Sequence, residues 1–309
     1  METPPYRARF HNDDAFILPK ARCINRLVFD DGVQIWPQTA MQIAAHCPTI
    51  ASLSLRHHEI VHPNHLKFMQ ERREGLAKGI AHISQSLREF TYEGDFEGPW
   101  EDADSPSALT LSPSADDLFS QNIRRLSLHL EQLTLFRTCV SADFLFPLDD
   151  EGQPLPNTAC LSWPNLRTLT LRLSTWLPSG EWLIKPPRMV IAERIAMGDM
   201  DIHTEDLERS VPNYEAVHRM FVSMGCAAHN MPSLRSIEFS FDDGPMFSFS
   251  FLVHNDSATA TWRSDVQYRP DQRVASAWNF HLDDMLLGEE RNIYVDIQWP
   301  PDATNTIAR

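Results

Sequence analysis

Three short segments of the 309-residue chain follow one pattern, and this internal repeat constrains the fold more than any other feature. Each segment opens with a bulky residue and a proline, and then alternates apolar with small polar positions. The segments are 47–55 (CPTIASLSL), 163–171 (WPNLRTLTL) and 231–239 (MPSLRSIEF). Proline ends a preceding helix and holds the chain extended, and the alternation that follows is typical of a short strand with one buried face.

Weaker copies of the pattern extend the series to six predicted strands. They lie at 24–29, 87–92 and 130–135. The segments between the strands carry apolar residues at helical spacing, which predicts four helices. These helices cover 36–47, 65–83, 116–126 and 214–224, and we interpret Gly225 as the C-terminal stop of the last one.

Strands and helices that alternate along the chain predict parallel strands joined by crossovers. The predicted fold class is therefore α/β, as an irregular leucine-rich-repeat-like solenoid with parallel strands. Its core should include Leu53, Leu55, Leu133, Leu135, Leu169 and Leu171. A compact doubly wound sheet is the alternative, but its strands would be more continuously apolar than these.

The pattern changes after the last repeat, and we predict a C-terminal cap made of a β-hairpin, a helix and a strand. Alternating residues in 247–253 and 258–263 flank a turn, Val274 to Leu286 has helical spacing, and 293–299 alternates again. The predicted organisation is a tail at 1–20, repeats at 21–245, the cap at 246–300 and a tail at 301–309. An acidic loop near 93–117 interrupts the repeats.

Composition limits the partners and the compartment. Lys and Arg number 27 against 42 Asp and Glu, a formal charge of −15, so nucleic acid and anionic membranes would be repelled. The start of the chain lacks the apolar core of a signal peptide, and no apolar stretch is long enough to span a bilayer. Five scattered cysteines predict buried free thiols and a cytoplasmic or nuclear protein.

One segment matches a catalytic motif. His58-Glu59-Ile60-Val61-His62 fits HExxH, in which two histidines on adjacent turns of a helix bind zinc beside a glutamate base. Here Pro63 follows at once and is well placed to open the next helix, so the motif falls in a loop where the histidines do not converge. We interpret the match as chance and predict a protein that is not an enzyme, with no catalytic residue, metal or cofactor. A zinc-dependent hydrolase that uses these residues is the alternative.

The alternation also predicts which side chains face away from the core. Larger groups follow one another at the end of five strands: Asp30, Arg56, Glu93, Phe136 and Arg172. Arginine and aromatic side chains are common anchors of protein interfaces. We therefore predict a binding surface that includes Arg56, Glu93, Phe136 and Arg172. An ordinary solvated sheet face is the alternative.

The repeats resemble the C-terminal, degenerate leucine-rich-repeat region of fungal F-box-type proteins. The likeness rests on segments 163–171 and 231–239, on the variant at 85–90 and on the aromatic-rich tail. In that family the F-box recruits a cullin-type ubiquitin ligase through an adaptor, and the repeats select substrates. The residues before Ile24 are too few for a three-helix F-box, so we expect only the recognition half to apply. The expected function is a non-catalytic protein–protein recognition scaffold, and its partner is a protein that the sequence does not identify.

Overall fold

The computed structural model describes residues 8–10, 18–30, 35–57, 66–94, 108–110, 117–185, 211–241, 247–266, 268–288 and 292–300. Within these residues the chain forms a mixed α/β fold with one large sheet, one two-stranded sheet and five α-helices. The strands are β1 (Arg26–Phe29), β2 (Ser52–Arg56), β3 (Glu89–Glu93), β4 (Gln132–Thr138), β5 (Thr168–Leu173), β6 (Ile184–Lys185), β7 (Val211–Pro212), β8 (Ser236–Phe241), β9 (Phe247–Val253), β10 (Ser257–Ser264), β11 (Leu286–Leu287) and β12 (Ile293–Gln298). The helices are α1 (Pro37–Ala45), α2 (Leu66–Ile80), α3 (Leu118–Ser127), α4 (Tyr214–Ala228) and α5 (Gln272–Trp278).

The large sheet has ten strands in the order β1-β2-β3-β4-β5-β8-β9-β10-β12-β11. Its first six strands are parallel and follow the sequence order, which confirms that prediction. The last four pair in antiparallel fashion, so the sheet as a whole is mixed. When parallel strands pair in the order of the sequence, right-handed crossovers place all the connecting helices on one face of the sheet. A doubly wound sheet needs a reversal of strand order, so that alternative does not fit.

A tight turn precedes the strands of the repeat. The amide of Ile50 donates to the Cys47 carbonyl at 3.0 Å, and the amide of Leu234 donates to the Met231 carbonyl at 3.0 Å. Proline is favoured at the second position of such a turn, because its fixed φ matches the turn geometry. The repeat prolines therefore open a turn between helix and strand, where the sequence predicted extended chain.

The carbonyl that follows each turn joins neighbouring repeats. The Ala51 carbonyl accepts from the amides of Arg88 at 2.8 Å and Glu89 at 2.9 Å. The same two-donor arrangement recurs at four further carbonyls, those of Asn25, Arg88, Glu131 and Arg167. The weaker sequence copies therefore adopt the same local structure as the three proline-led copies.

The core lies between the sheet and the helices. The six leucines predicted to be buried are each at most 1% exposed, which confirms that prediction. In-register residues form layers across the strands, for example Leu53, Phe90, Leu133, Leu169 and Ile237. The intervening strand residues are partly or fully exposed, as expected for a sheet with one buried face.

Gly225 does not end a helix, so that prediction was wrong. It lies inside α4, which continues to Ala228. A side chain at Gly225 would place its Cβ 2.7 Å from the carbonyl oxygen of Ala277 in α5. Glycine is therefore needed for the close approach of two helices rather than for a left-handed cap.

The C-terminal hairpin and final strand are confirmed, but the helix between them is shorter than predicted. β9 and β10 pair in antiparallel fashion around the turn at 254–256, and β12 adds to β10. α5 ends at Trp278 because Asn279 adopts a left-handed conformation with φ 57°. Leu282–Asp284 forms only a 3-10 turn, and Leu286 belongs to the edge strand β11.

The cysteines are free, but not all of them are buried. Cys47 and Cys139 are buried and Cys226 is partly buried, whereas Cys23 and Cys160 are exposed. The expectation of buried thiols was therefore wrong for the last two. Among the described residues, no helix is both long enough and apolar enough to cross a membrane.

Candidate functional site

The four predicted binding residues lie side by side at the carboxyl ends of the parallel strands. Arg56 of β2 is in register with Glu93 of β3, which is in register with Phe136 of β4 and then with Arg172 of β5. Neighbouring strands are about 4.8 Å apart, so positions far apart in sequence form one continuous row. We call Asp30, Arg56, Glu93, Phe136 and Arg172 the edge row.

Charged contacts link the members of the edge row. Arg56 Nη1 lies 3.4 Å from Asp30 Oδ1, and Arg56 Nε lies 3.1 Å from Glu93 Oε2. Arg137 Nη1 lies 3.5 Å from the other Glu93 oxygen, and the Arg172 guanidinium lies 5.3 Å from the centre of the Phe136 ring. Because the Arg56 side chain is 49% exposed, its ion pairs contribute little to stability. They do hold the side chains in an ordered line.

Below the edge row, the exposed face carries small hydroxyl side chains. The next outward layer contains Ser54, Thr91, Thr134 and Thr170 in direct register. Each is partly exposed. Serine and threonine side chains are short, so the larger side chains of the edge row extend further from the sheet than they do.

A small cavity lies behind the edge row, on the core side of the same strand ends. Its volume is about 40 Å³, and its walls come from α2, α3 and the segments that end β3, β4 and β5. Gln70 Nε2 donates to the Ala108 carbonyl at 2.9 Å, and the Leu109 amide donates to the Pro178 carbonyl at 2.9 Å. These bonds hold Leu109 as one wall. We call this space the arginine pocket, because Arg72, Arg73 and Arg137 line it.

Arg73 is fixed in the pocket by a buried ion pair. Its Nε donates to Asp117 Oδ1 at 2.9 Å and its Nη2 donates to Asp117 Oδ2 at 2.5 Å. Asp117 also caps α3, where its carboxylate accepts from the Ser120 amide at 3.1 Å. Burial alone would raise the pKa of Asp117, but the charge and hydrogen bonds of Arg73 and the bonds from Ser120 lower it overall. The pair therefore stays charged and joins α2 to α3.

Arg137 contacts Glu93 of the edge row and also lines the arginine pocket, because of a backbone irregularity. The register of β4 and β5 shifts between Phe136 and Thr138, and Arg137 has a φ of 50°. A β-bulge of this kind redirects a side chain, and a left-handed arginine is uncommon enough to suggest a functional position. The neighbouring Gly94 permits it, because a Cβ there would lie 2.7 Å from the Arg137 carbonyl oxygen.

The thiol in the arginine pocket is not a reactive one. Burial raises the pKa of Cys139 to about 11, against the smaller opposing effect of the Arg73 charge. The thiol is therefore neutral at physiological pH, whereas nucleophilic cysteines react as thiolates. Cys139 packs in a hydrophobic cluster with Trp176 and Trp182 and forms an unreactive wall of the pocket.

The sequence prediction missed the arginine pocket, although a signal was present. α2 buries Met69, Leu76 and Ile80, and Arg72 and Arg73 fall on the same stripe at helical spacing. Arginine on a buried stripe must find partners or line a polar space.

The possible zinc motif at 58–62 lies outside the described residues, as does most of the predicted acidic loop, at 95–107 and 111–116. In the part of the chain that the structure describes, no group of three His, Cys, Asp or Glu side chains could hold a metal ion.

Residues 203–298 match the model of a family of unknown function (DUF6546). No curated protein and no solved structure matches the chain. The matched region includes α4 and the strands β8 to β12, so it contains neither the edge row nor the arginine pocket.

Proposed function

We propose that the chain is a non-catalytic protein-recognition scaffold that binds its partner through the edge row. The observation that supports this is the register that aligns Arg56, Glu93, Phe136 and Arg172 across β2 to β5. An unbroken row of charged and aromatic groups beside a low hydroxyl-lined surface offers an extended contact to a second protein.

We further propose that the parallel part is an irregular leucine-rich-repeat-like solenoid. Its support is the repeated turn before the strands and the repeated carbonyl that accepts two amides from the next repeat. These features make each repeat contact its neighbours in the same way, which is the basis of solenoid architecture. By the resemblance to fungal F-box-type proteins, the recognised partner would be a substrate of ubiquitin ligation.

The chemistry of the edge row indicates how a partner would bind. Phe136 and Arg172 combine an apolar ring with a fixed positive charge, and such residues often dominate binding free energy. Asp30, Arg56 and Glu93 alternate in charge, so they would select the register of a partner more than they would add affinity. We propose a protein segment that crosses the strands, with an apolar side chain on Phe136 and a carboxylate at Arg172.

The test compares the partners retained by three forms of the chain. Affinity purification with quantitative mass spectrometry would use the wild type, a Phe136→Ala/Arg172→Ala double variant and Lys67→Ala as the control. Lys67 lies on α2 and its side chain is 86% exposed, so it removes a positive charge away from the edge row. A protein retained by the wild type and the control should then be purified and its Kd measured.

We expect the double variant to bind that partner at least about tenfold more weakly, while its melting temperature stays near that of the wild type. Equal affinity of the wild type and the double variant would contradict the proposal. Proteins that the wild type and the double variant retain but Lys67→Ala loses would instead locate the interface on the helical face.

A further inference from the structure

β1 forms one edge of the ten-stranded sheet, and the outer side of its backbone faces no other strand of the described residues. The Ser52 amide of β2 donates to the Asn25 carbonyl at 3.0 Å, so the carbonyl of Asn25 faces β2. Backbone groups alternate between the two sides of a strand, so the amides and carbonyls of Arg26 and Val28 face away from β2. An unpaired strand edge of this kind can hydrogen-bond with a further strand.

The side chains of β1 on the exposed face of the sheet differ in character. Arg26 and Val28 are exposed, the latter at 48%, and the side chain of Asp30, which follows the strand, is 65% exposed. Along β1, every second position is therefore positive, apolar and negative in turn. This order is self-complementary, because an identical strand that runs in the opposite direction presents negative, apolar and positive groups.

We propose that β1 pairs in antiparallel fashion with β1 of a second copy of this chain, with Val28 opposite Val28 at a twofold axis. In this register each Arg26 lies opposite Asp30 of the other copy. The amide and carbonyl of Val28 face the open edge in both copies, so these two residues exchange two hydrogen bonds. Leu27, which is only partly buried in the single chain, comes to lie opposite Phe29 on the other face.

Charge selects this register over its neighbours. A slide of one residue would turn the exposed face of one strand against the buried face of the other. A slide of two residues would place Arg26 opposite Val28, and a slide of four would place Arg26 opposite Arg26 or Asp30 opposite Asp30. Like charges directly opposite each other destabilise a strand pair, whereas unlike charges stabilise it. Only the register centred on Val28 pairs both charges with unlike ones.

The ion pair that Asp30 already makes leaves room for a second. Asp30 Oδ1 lies 3.4 Å from Arg56 Nη1. A carboxylate has two oxygens that together accept several hydrogen bonds, so it can bind a guanidinium group on each side. Among the described residues, Arg26 makes no ion pair and no side-chain hydrogen bond. Its charge is therefore available to a second copy.

The opposite edge of the sheet is less suited to pairing. That edge is β11, which contains only Leu286 and Leu287. Leu287 is 78% exposed, so β11 offers an apolar contact but few backbone groups. Short edge strands are one way in which proteins avoid pairing with other chains. β11 is the alternative contact that the experiment has to distinguish.

The proposed contact is small, since only residues 26–30 of each copy take part. Interfaces below the standard size are usually transient, so we expect a Kd of about 1–100 µM. The proposal does not rest on the function proposed for the edge row, because β1 pairs along its open backbone edge, whereas a protein partner would lie across the strand ends.

The test reverses one charge at a time and measures dimerisation of the full chain by sedimentation equilibrium. Arg26→Asp places two carboxylates opposite each other at both ends of the strand pair, and Asp30→Arg does the same with two guanidinium groups. We expect each variant alone to dimerise at least about tenfold more weakly than the wild type. An equimolar mixture of the two variants should regain the wild-type affinity, because unlike charges then face each other at both ends.

Arg167→Asp is the matched control, since it changes the charge of the chain by the same amount at a side chain that is 50% exposed. Arg167 precedes β5, which lies four strands from β1 in the sheet. This control should dimerise as the wild type does. Leu287→Lys tests the opposite edge and should also leave the Kd unchanged.

Hydrogen exchange of the wild type checks the contact without a substitution. A rise in protein concentration through the Kd should slow exchange in the peptide that contains β1, because the amides of Arg26 and Val28 gain acceptors. Exchange in β11 should not change. If a charge variant does not fold, this measurement decides the question.

Four results would overturn the proposal: a wild type that stays monomeric through this range of concentration, unchanged dimerisation in both charge variants, no recovery of the dimer in their mixture, or exchange in β1 that does not depend on concentration. Loss of the dimer in Leu287→Lys but not in Arg26→Asp would also overturn it and would place the contact at β11.

Discussion

His229 at the end of α4 shows how a single side chain links two helices. Its Nε2 donates to the Ala277 carbonyl of α5 at 3.0 Å, and its ring lies 6.1 Å from that of Trp299. Burial lowers the pKa of His229, and the hydrogen bond to Ala277 opposes that effect only in part. The folded protein therefore keeps this histidine neutral at pH values at which the same side chain begins to be protonated in the unfolded chain.

This lowered pKa predicts a loss of stability in mild acid. Above the ordinary histidine pKa of about 6.5, both states are neutral at this position and the residue makes no pH-dependent contribution. As the pH falls from about 6.5 towards the folded pKa, only the unfolded state takes up the proton, so the free energy of unfolding decreases. Urea unfolding between pH 7.5 and pH 5 should show this decrease, and His229→Gln should reduce it.

The control for this pH prediction is His82→Gln, because His82 is exposed beyond the end of α2. Glutamine at position 229 can still donate to the Ala277 carbonyl, so the bond is kept while the titration is removed. A pH profile that is the same in His229→Gln and the wild type would contradict the assigned cause. Losses below about pH 4 belong to carboxylates with lowered pKa values, such as Asp117 and Asp271.

At the scale of single residues, the sequence could predict which face of the sheet a side chain points to. It could not predict which side chains contact each other. Alternation placed Phe136 and Arg172 outward, and their contact across 36 positions followed once the register was known. The partnership of Arg73 with Asp117 could not be predicted, because it depends on how α2 and α3 pack. The left-handed Arg137 also had no local signal, since glycine rather than arginine usually marks such a bulge.

At the scale of elements, β5 separates the two faces of the sheet most clearly. Leu169 is fully buried in the layer of in-register apolar residues, whereas its neighbour Thr170 points to the exposed face and is partly exposed. Leu169→Ala should lower the free energy of unfolding by about 2–5 kcal/mol, because the substitution leaves a cavity. Thr170→Ala should change it by about 0.5 kcal/mol or less. Chemical denaturation of both variants measures this difference.

A loss well below about 1 kcal/mol for Leu169→Ala would mean that the site relaxes around the smaller side chain. A loss of similar size for both variants would mean that the face of Thr170 is packed rather than open.

Elements with a strong local pattern were predicted well, and elements set by tertiary contacts were not. Six strands, four helices and the C-terminal hairpin follow from apolar spacing and turn residues. The end of α5 and the edge strand β11 were missed because Val274 to Leu286 keeps helical spacing past Asn279, whose left-handed conformation ends the helix. The two-stranded pairing of Ile184–Lys185 with Val211–Pro212 joins residues far apart in the chain and had no sequence signal.

At the scale of the whole molecule, the sheet changes from parallel to antiparallel at β8 without a break in its core. α4 connects the two parts, because it precedes β8 in the last crossover and packs its Phe221 against the strands that follow. The Phe221 ring lies 5.7 Å from Phe239 in β8, 5.2 Å from Phe249 in β9 and 6.1 Å from Trp262 in β10. One apolar core therefore runs from β1 to β12.

This shared core predicts that the chain unfolds in one transition, although long repeat arrays can lose cooperativity. Leu53 in β2 and Phe251 in β9 are both buried and lie in different parts of the sheet. Leu53→Ala and Phe251→Ala should each lower the urea midpoint of the same transition, with losses of about 2–5 kcal/mol. Tryptophan fluorescence and far-UV circular dichroism should give coincident curves, because tryptophans are buried both before β5, at Trp163, and after β8, at Trp278. Two resolved transitions, each moved by only one of the two variants, would contradict a single core and would divide the chain between β5 and β9.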